Sequence, residues 1–196
     1  MPGADPDDSD ADHSVTASDG TGFQGVATVR MWSISSLERV RPNWSNLPRQ
    51  ARHNMLTRPA RYPTAPIKTA RAENLVLDNY LEALASGDSP QPTHLAIGDD
   101  DSASPQADSD ALNNEVYRTQ IGQDEGDGRD RLTSTFISQN EMNGLGLAEI
   151  GFANGPDAED DDLLTHLLLD ASDQLESKTS DITITIDYTL FYQRVD

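Results

Sequence analysis

The stretch that decides the fold class runs from Ile182 to Tyr192 and reads ITITIDYTLFY. Every second residue, starting with Ile182, is apolar, and four of the five residues between them are Thr or Asp. Side chains of a β-strand point alternately to its two faces. This period of two over eleven residues therefore predicts a long strand with one buried face.

Shorter apolar segments precede this strand and predict a small number of further elements. Strands are expected at residues 93–97, 116–121, 131–138 and 145–152, and residues 163–169 suit a strand or a helix. The polar segment 123–130 predicts a hairpin turn between two of these strands. Helices are expected at residues 74–85, ending at Gly87, and for a short stretch of residues 108–115. Residues 71–196 are thus predicted to form an antiparallel β-sandwich with one or two short helices.

The composition is strongly acidic and excludes several classes of protein. The chain has 34 acidic and 14 basic residues, which gives a net charge of −20, and it has no cysteine. Disulfides, thiolate catalysis and cysteine zinc sites are excluded. A charge of −20 disfavours wrapping DNA or an anionic membrane with the whole surface. We also expect neither a membrane-spanning helix nor a signal peptide.

The choice of charged residues favours a protein adapted to molar salt over a disordered one. Asp supplies 25 of the 34 acids, and Lys supplies only 2 of the 14 bases. At 1 M salt the Debye length falls to about 3 Å, so carboxylates repel one another only at short range. A disordered chain is expected to use Lys and Glu as well. We therefore predict a halophilic origin.

The N-terminal third is divided by charge into two segments. Residues 1–22 are predicted to be an acidic tail. Residues 30–71 hold nine bases, one acid and five prolines, so residues 23–70 are predicted to be a basic, proline-rich, extended arm with one short helix near residues 48–56. Arg and aromatic side chains are typical of interface anchors, and the alternative is stacking on nucleic acid. We favour packing on acidic surfaces of neighbouring subunits, through Trp32, Trp44, Arg49, Arg52, Arg58, Arg61 and Tyr62.

No motif in the sequence predicts catalysis or a cofactor. A Gly-rich phosphate loop, G-x-S-x-G and H-E-x-x-H are all missing from it. His94 and His166 lie within apolar runs, where a histidine is usually a packing residue. The acidic clusters at residues 99–101 and 124–130 lack the spacing of a calcium loop, and we expect them to be solvated loops. The predictions are no enzyme, no cofactor and no metal site.

Residues 73–192 carry a series of segments whose order resembles a known domain. The segments are Glu73-Asn74-Leu75-Val76 with the helix to Leu84, Thr93-His94-Leu95-Ala96-Ile97-Gly98-Asp99, Asp110-Ala111-Leu112-Asn113-Asn114-Glu115-Val116-Tyr117-Arg118, Glu149-Ile150-Gly151-Phe152, Leu163-Leu164-Thr165-His166-Leu167, and Lys178 before the final strand. The series resembles a domain of tail fibre, tail-collar and baseplate-associated proteins of tailed phages and prophages. One departure is Asp100, where that domain has a second glycine.

The resemblance implies a structural role in a virion. Such domains look like β-sandwich modules that assemble into rings or trimers at the tail tip, or attach fibres to it, and they have no catalytic residues. We therefore expect a tail or baseplate component of a virus of a halophilic archaeon, made in the host cytoplasm and located in the virion tail. Its partners are expected to be copies of itself and other virion proteins, without membrane or small-molecule substrate. The alternatives are a capsid decoration or turret protein and a cellular carbohydrate- or nucleic-acid-binding module.

Overall fold

The fold is an antiparallel β-sheet with short helices, as the alternating C-terminal stretch predicts. The computed structural model describes residues 23–58, 62–88, 90–126, 130–158 and 163–192. The predicted tail, residues 1–22, lies outside the described residues. The mainly β, antiparallel part of the prediction is confirmed, and the described helices are short.

Nine strands and three α-helices make up the described part of the chain. The strands are β1 (Phe23–Ser33), β2 (Lys68–Val76), β3 (His94–Gly98), β4 (Glu115–Gln120), β5 (Gln123–Gly126), β6 (Asp130–Ile137), β7 (Glu149–Ala153), β8 (Leu163–Leu168) and β9 (Ile182–Tyr192). The helices are α1 (Ile34–Val40), α2 (Arg49–Leu56) and α3 (Asp78–Ser86), with a 3-10 turn at Trp44–Asn46.

The nine strands form one continuous sheet in the order β4-β3-β7-β8-β2-β1-β9-β6-β5. Strand β2 joins two halves, because residues 68–74 pair with β1 and residues 75–76 pair with β8. We call β1, β9, β6 and β5 the front half, and β3, β4, β7 and β8 the back half. The two outermost strands, β4 and β5, are consecutive in the chain, so the sheet comes close to closing on itself.

The main core lies between the two halves, which face each other. Alternate residues of β1 and β9 lie in it, including Val29 and Ile186, which are directly paired. From the back half, Phe152 stacks on Tyr188 with ring centroids 4.4 Å apart. A sandwich of two sheets was predicted, and the structure has one sheet folded over through β2.

The prediction of an extended arm over residues 23–70 is wrong wherever this segment is described. Strand β1 lies inside the sheet, paired with β2 on one side and β9 on the other. It is buried on both faces, with Val29 and Met31 in the main core and Trp32 on the opposite face. The short helix expected near residues 48–56 is present as α2, with Pro48 immediately before it. This segment therefore contributes to two buried clusters that it shares with the rest of the chain, which its many bases and prolines concealed.

Three other local predictions are corrected by the strand register. Strand β4 pairs with β3, and the hairpin partner of β6 is β5, which lies in the segment predicted to be a turn. Residues 108–114 form a connection without a helix. The α3 helix begins at Asp78, because residues 74–76 extend β2, and Gly87 ends it with a positive φ of 91° as expected.

Each half of the sheet is covered on its outer face by a separate layer. Residues 34–58, which we call the helical layer, cover the front half, where Leu37, Trp44 and Leu56 pack on Trp32 and Phe136. The connection from β3 to β4, residues 99–114, covers the back half through Leu112, which packs with Ala96, Ala153, Leu163 and Leu77. The helical layer and the connection at residues 99–114 therefore lie on opposite sides of the folded sheet.

Candidate functional site

The helical layer is held in place by side chains that cap its turns. The Ser33 hydroxyl accepts a hydrogen bond from the amide of Ser36 at the start of α1. The carboxylate of Glu38 accepts hydrogen bonds from the amides of Trp44 (3.1 Å) and Ser45 (2.7 Å). These hydrogen bonds lower the pKa of Glu38, and those of Ser45 have the largest effect. The only acid of this layer is thus committed to closing the turn between its helices.

The aromatic residues predicted as interface anchors form part of the chain's own core. Trp32 and Trp44 are both 0% exposed. The half-buried Tyr62 packs edge-on against Trp32, with ring centroids 5.6 Å apart, and the guanidinium of Arg30 lies over its ring. The two tryptophans therefore offer no surface to a neighbouring subunit, and their predicted role as intermolecular anchors is corrected.

Three of the four predicted arginines, Arg49, Arg52 and Arg58, lie in the helical layer. The guanidinium groups of Arg49 and Arg52 each lie 5.5 Å from the ring centroid of Phe136. Arg49 also forms an ion pair with Glu141 and donates to the carbonyl of Phe136. Arg58 is exposed after the end of α2, and Arg61 lies outside the described residues. The structure thus brings the described arginines to one face of the molecule.

A chain of four polar side chains lies between the helical layer and the sheet. Arg30 forms an ion pair with Asp187, whose other oxygen accepts a hydrogen bond from the Ser134 hydroxyl at 2.5 Å. The Ser134 oxygen lies 2.9 Å from Nε2 of His53 on α2. Because the Ser134 hydroxyl donates its proton to Asp187, Nε2 of His53 must carry a proton and donate it to the Ser134 oxygen. We call these residues the polar cluster; it ties α2 to strands β1, β6 and β9.

Burial sets the charge states within the polar cluster. Burial, and then the charge of Arg49, lowers the pKa of His53 to about 4, so the imidazole is neutral at pH 7. Burial raises the pKa of Asp187, while the bonds from Ser134 and Arg30 oppose that rise. In a catalytic triad the histidine stands between serine and carboxylate. Here the serine stands between them, so the order differs from that of a triad, and the bonds join α2 to the sheet.

A small cavity opens beside the polar cluster at the C-terminal end of α2. Its volume is about 80 Å³, and it is lined by Thr57, Arg58, Gln123, Leu132, Ser134 and Asp187. A neighbouring cavity of about 190 Å³ is lined by Asn54, Thr57, Arg58 and Gln123. The amide of Gln123 donates to the Asn54 oxygen at 2.5 Å, and Arg58 lines both spaces, which are large enough for a carboxylate or a similar small polar group.

A second buried polar pair lies under the connection that covers the back half. Glu149 and His166 are 0% and 1% exposed, and Nε2 of His166 lies 3.0 Å from Oε2 of Glu149. The same oxygen accepts a hydrogen bond from the amide of Asn113 at 2.8 Å. Burial raises the pKa of Glu149 and lowers that of His166 to about 4. His166 is buried within the fold, as its apolar surroundings predict.

The acidic loops engage in ordinary loop hydrogen bonds. Asp99 accepts from the Asn114 amide group at 2.7 Å, and Asp100 accepts from the amide of Ser102 at 2.8 Å. Within the described residues, no group of three or more His, Asp or Glu side chains is arranged to hold a metal ion. The side chains of the other predicted loop, residues 124–130, lie outside the described part of the chain.

Sequence reasoning missed the polar cluster because its members are far apart in the chain. Positions 30, 53, 134 and 187 carry no shared motif, and only the register of β1, β6 and β9 brings three of them together. A pair of neighbours in the sequence is different, since Arg118 binds Glu115, three positions before it, through two hydrogen bonds of 2.7 and 2.8 Å.

Comparison of the chain with protein-family models, with curated proteins and with solved structures finds no match. In the described ranges, the helices all fall short of the length and apolar character needed to cross a membrane.

Proposed function

We propose that the chain is a structural protein of the virion of a tailed virus of a halophilic archaeon. Its place is the tail or the baseplate, where it assembles with neighbouring subunits and provides a site for attaching fibres. The observation that carries this proposal is the ordered series of segments over residues 73–192 that resembles tail-associated domains. The folded sheet serves in this role as a sandwich-like module.

The positions of those segments in the fold support the proposal. The segment at residues 93–99 falls on β3, the segment at 149–152 on β7, the segment at 163–167 on β8, and the final alternating segment on β9. The segment at residues 110–118 supplies Leu112 to the outer face of the back half and Glu115 and Arg118 to β4. Four of the segments therefore lie on the back half of the sheet and its cover, and the final segment lies on β9 of the front half.

The distribution of acids supports the salt-adapted part of the proposal. Among the described carboxylates, only Glu149 is fully buried. Negative charge on the remaining surface repels itself in dilute buffer, and molar salt screens this repulsion. A virion from a hypersaline environment meets that condition throughout its life cycle.

Purified virus particles from a hypersaline source provide the test. Antibodies raised against the recombinant chain, coupled to gold, are applied to intact particles and to separated tails and capsids, and each fraction is analysed by mass spectrometry. Label and peptides in the tail fraction are the expected result. Label on the capsid indicates the decoration or turret role. A chain that is missing from particles, but binds glycan or DNA, overturns the virion role.

A further inference from the structure

The two outer layers of the fold carry opposite charge. The helical layer, residues 34–58, has five arginines and one acid. The connection that covers the back half, residues 99–114, has five acids and neither Lys nor Arg. Because the two sheet halves lie between these layers, one side of the molecule is basic and the opposite side is acidic.

Several arginines of the helical layer are free to contact a partner. Arg39 and Arg41 are exposed and form no hydrogen bond or ion pair through their side chains with another described residue. Val40, between them, is 52% exposed and adds an apolar contact. Arg58 lines both small cavities, beside the polar groups of Asn54 and Gln123. These side chains together define what we call the basic face.

The acidic side presents carboxylates of complementary character. Asp99, Asp100 and Asp101 are oriented by Asn114, Ser102 and Gln174. Asp108 and Asp110 are exposed, and their side chains make no hydrogen bond or ion pair with another described residue. We call these five aspartates the acidic face. An arginine binds a carboxylate through two parallel hydrogen bonds, so the two faces offer matching chemistry.

We propose that the basic face of one copy docks on the acidic face of a second copy. Such a contact joins two different patches and is therefore heterologous, so it is repeated by each added copy and either closes into a ring or continues as a stack. The cavity at Arg58 receives an aspartate of the neighbour. This inference rests on the proposed function in one respect, since a ring or stack is the form in which a tail component is used.

Salt does not remove a contact of this kind. A Debye length of about 3 Å at 1 M screens attraction between separated charges, but leaves little room for ions between a guanidinium and a carboxylate in direct contact. We therefore expect salt to slow the encounter of two copies more than it weakens the formed contact.

Reversal of charge on each face, separately and together, tests the inference. The full-length chain is studied in 2 M KCl by sedimentation velocity over a hundredfold range of concentration. Arg39→Glu with Arg41→Glu reverses the basic face, and Asp108→Arg with Asp110→Arg reverses the acidic face. Each double variant alone is expected to bind itself at least tenfold more weakly than the wild type. A mixture of the two is expected to regain association, because each reversed face now complements the other.

Matched controls separate charge from folding. Arg39→Lys with Arg41→Lys, and Asp108→Glu with Asp110→Glu, keep the charge and are expected to keep most of the association. Arg58→Glu alone provides a second test of the basic face if the double variant fails to fold. Wild-type chains that remain monomeric at every concentration overturn the inference, as do variants that associate normally. Random-sequence DNA that binds the wild type and not the basic-face variant, with self-association unchanged, also overturns it.

Failure of this inference and failure of the proposed function give different results. Particles that carry the chain in their tails, while the purified chain does not self-associate through these faces, contradict only the docking of the two faces. Self-association through the two faces, with the chain missing from particles, contradicts only the virion role.

Discussion

At the scale of single residues, burial inside the chain decides the roles of the aromatic and histidine side chains. Trp44 is 0% exposed and packs with Leu37, Leu56 and Phe136. Its ring is enclosed by the helical layer and the sheet. Replacement of this side chain therefore affects folding before it affects assembly.

Trp44→Ala is expected to lower the free energy of unfolding by about 3–5 kcal/mol, because it removes a large buried ring and leaves a cavity. Leu132→Ala, at a side chain that is 42% exposed, is the control and is expected to change it by less than about 0.5 kcal/mol. Chemical unfolding in 2 M KCl provides the measurement. Equal stability of Trp44→Ala and the wild type contradicts the burial of this residue within one chain.

His53 is expected to make the protein acid-sensitive. Its pKa is lowered to about 4 in the fold, whereas an unfolded histidine titrates near 6.5. The unfolded state therefore binds a proton first, and stability present above about pH 6.5 is lost as the pH falls towards 4. The loss is about 3 kcal/mol for this residue.

His53→Gln tests this expectation, because an amide can still donate to Ser134 but does not titrate. Thermal unfolding between pH 7 and pH 4 is expected to show a weaker dependence on pH in the variant. His94→Gln, at a half-buried ring, is the control. His166 is a less suitable position for this test. The pKa of its neighbour Glu149 is raised in the fold, so protonation of Glu149 stabilises the protein as the pH falls and offsets part of the stability lost at His166. Identical pH profiles for wild type and His53→Gln contradict the assignment.

At the scale of elements, the position of β1 determines what a truncation does. Strand β1 pairs with β2 and β9 over seven and eleven residues in the middle of the sheet. Removal of residues 1–70 deletes this strand and the start of β2, so the chain 71–196 is expected not to fold. The chain 23–196 is expected to unfold cooperatively. Far-UV circular dichroism during heating distinguishes them, and a cooperative transition in the chain 71–196 contradicts this account of the sheet.

The elements differ in how well the sequence predicts them, and the difference has a physical reason. Strand β9 is predictable because its side chains alternate in kind, with apolar residues in the main core and Thr or Asp on the opposite face. The expectation that only one face is buried is wrong, since Thr183 and Thr185 under the helical layer are 0% exposed. Strand β1 has apolar residues on both of its faces, so they do not alternate with polar ones, and Arg30 in its middle pairs with Asp187, which is 157 positions away. Helix α2 was predictable from Pro48, but its contacts with Phe136 were not.

At the scale of the whole molecule, surface charge is expected to link stability to salt. The chain has a net charge of −20, and among the described carboxylates only Glu149 is fully buried. Raising KCl from 0.2 M to 3 M is expected to raise the melting temperature by about 10 °C, since screening worth a few kcal/mol shifts the melting temperature of a chain of this size by that amount. Sucrose at matched osmolality is the control for general solute exclusion. A melting temperature that stays flat or falls with KCl contradicts salt adaptation.

A cryo-EM map of the virion tail is the decisive measurement. We expect the map to show the folded sheet of this chain in repeated copies around the tail axis. In each copy Arg39, Arg41 and Arg58 are expected to lie within contact distance of aspartates 99–101, 108 and 110 of the next copy. A tail map in which this chain has no density, or in which both faces of every copy are exposed to solvent, contradicts the account.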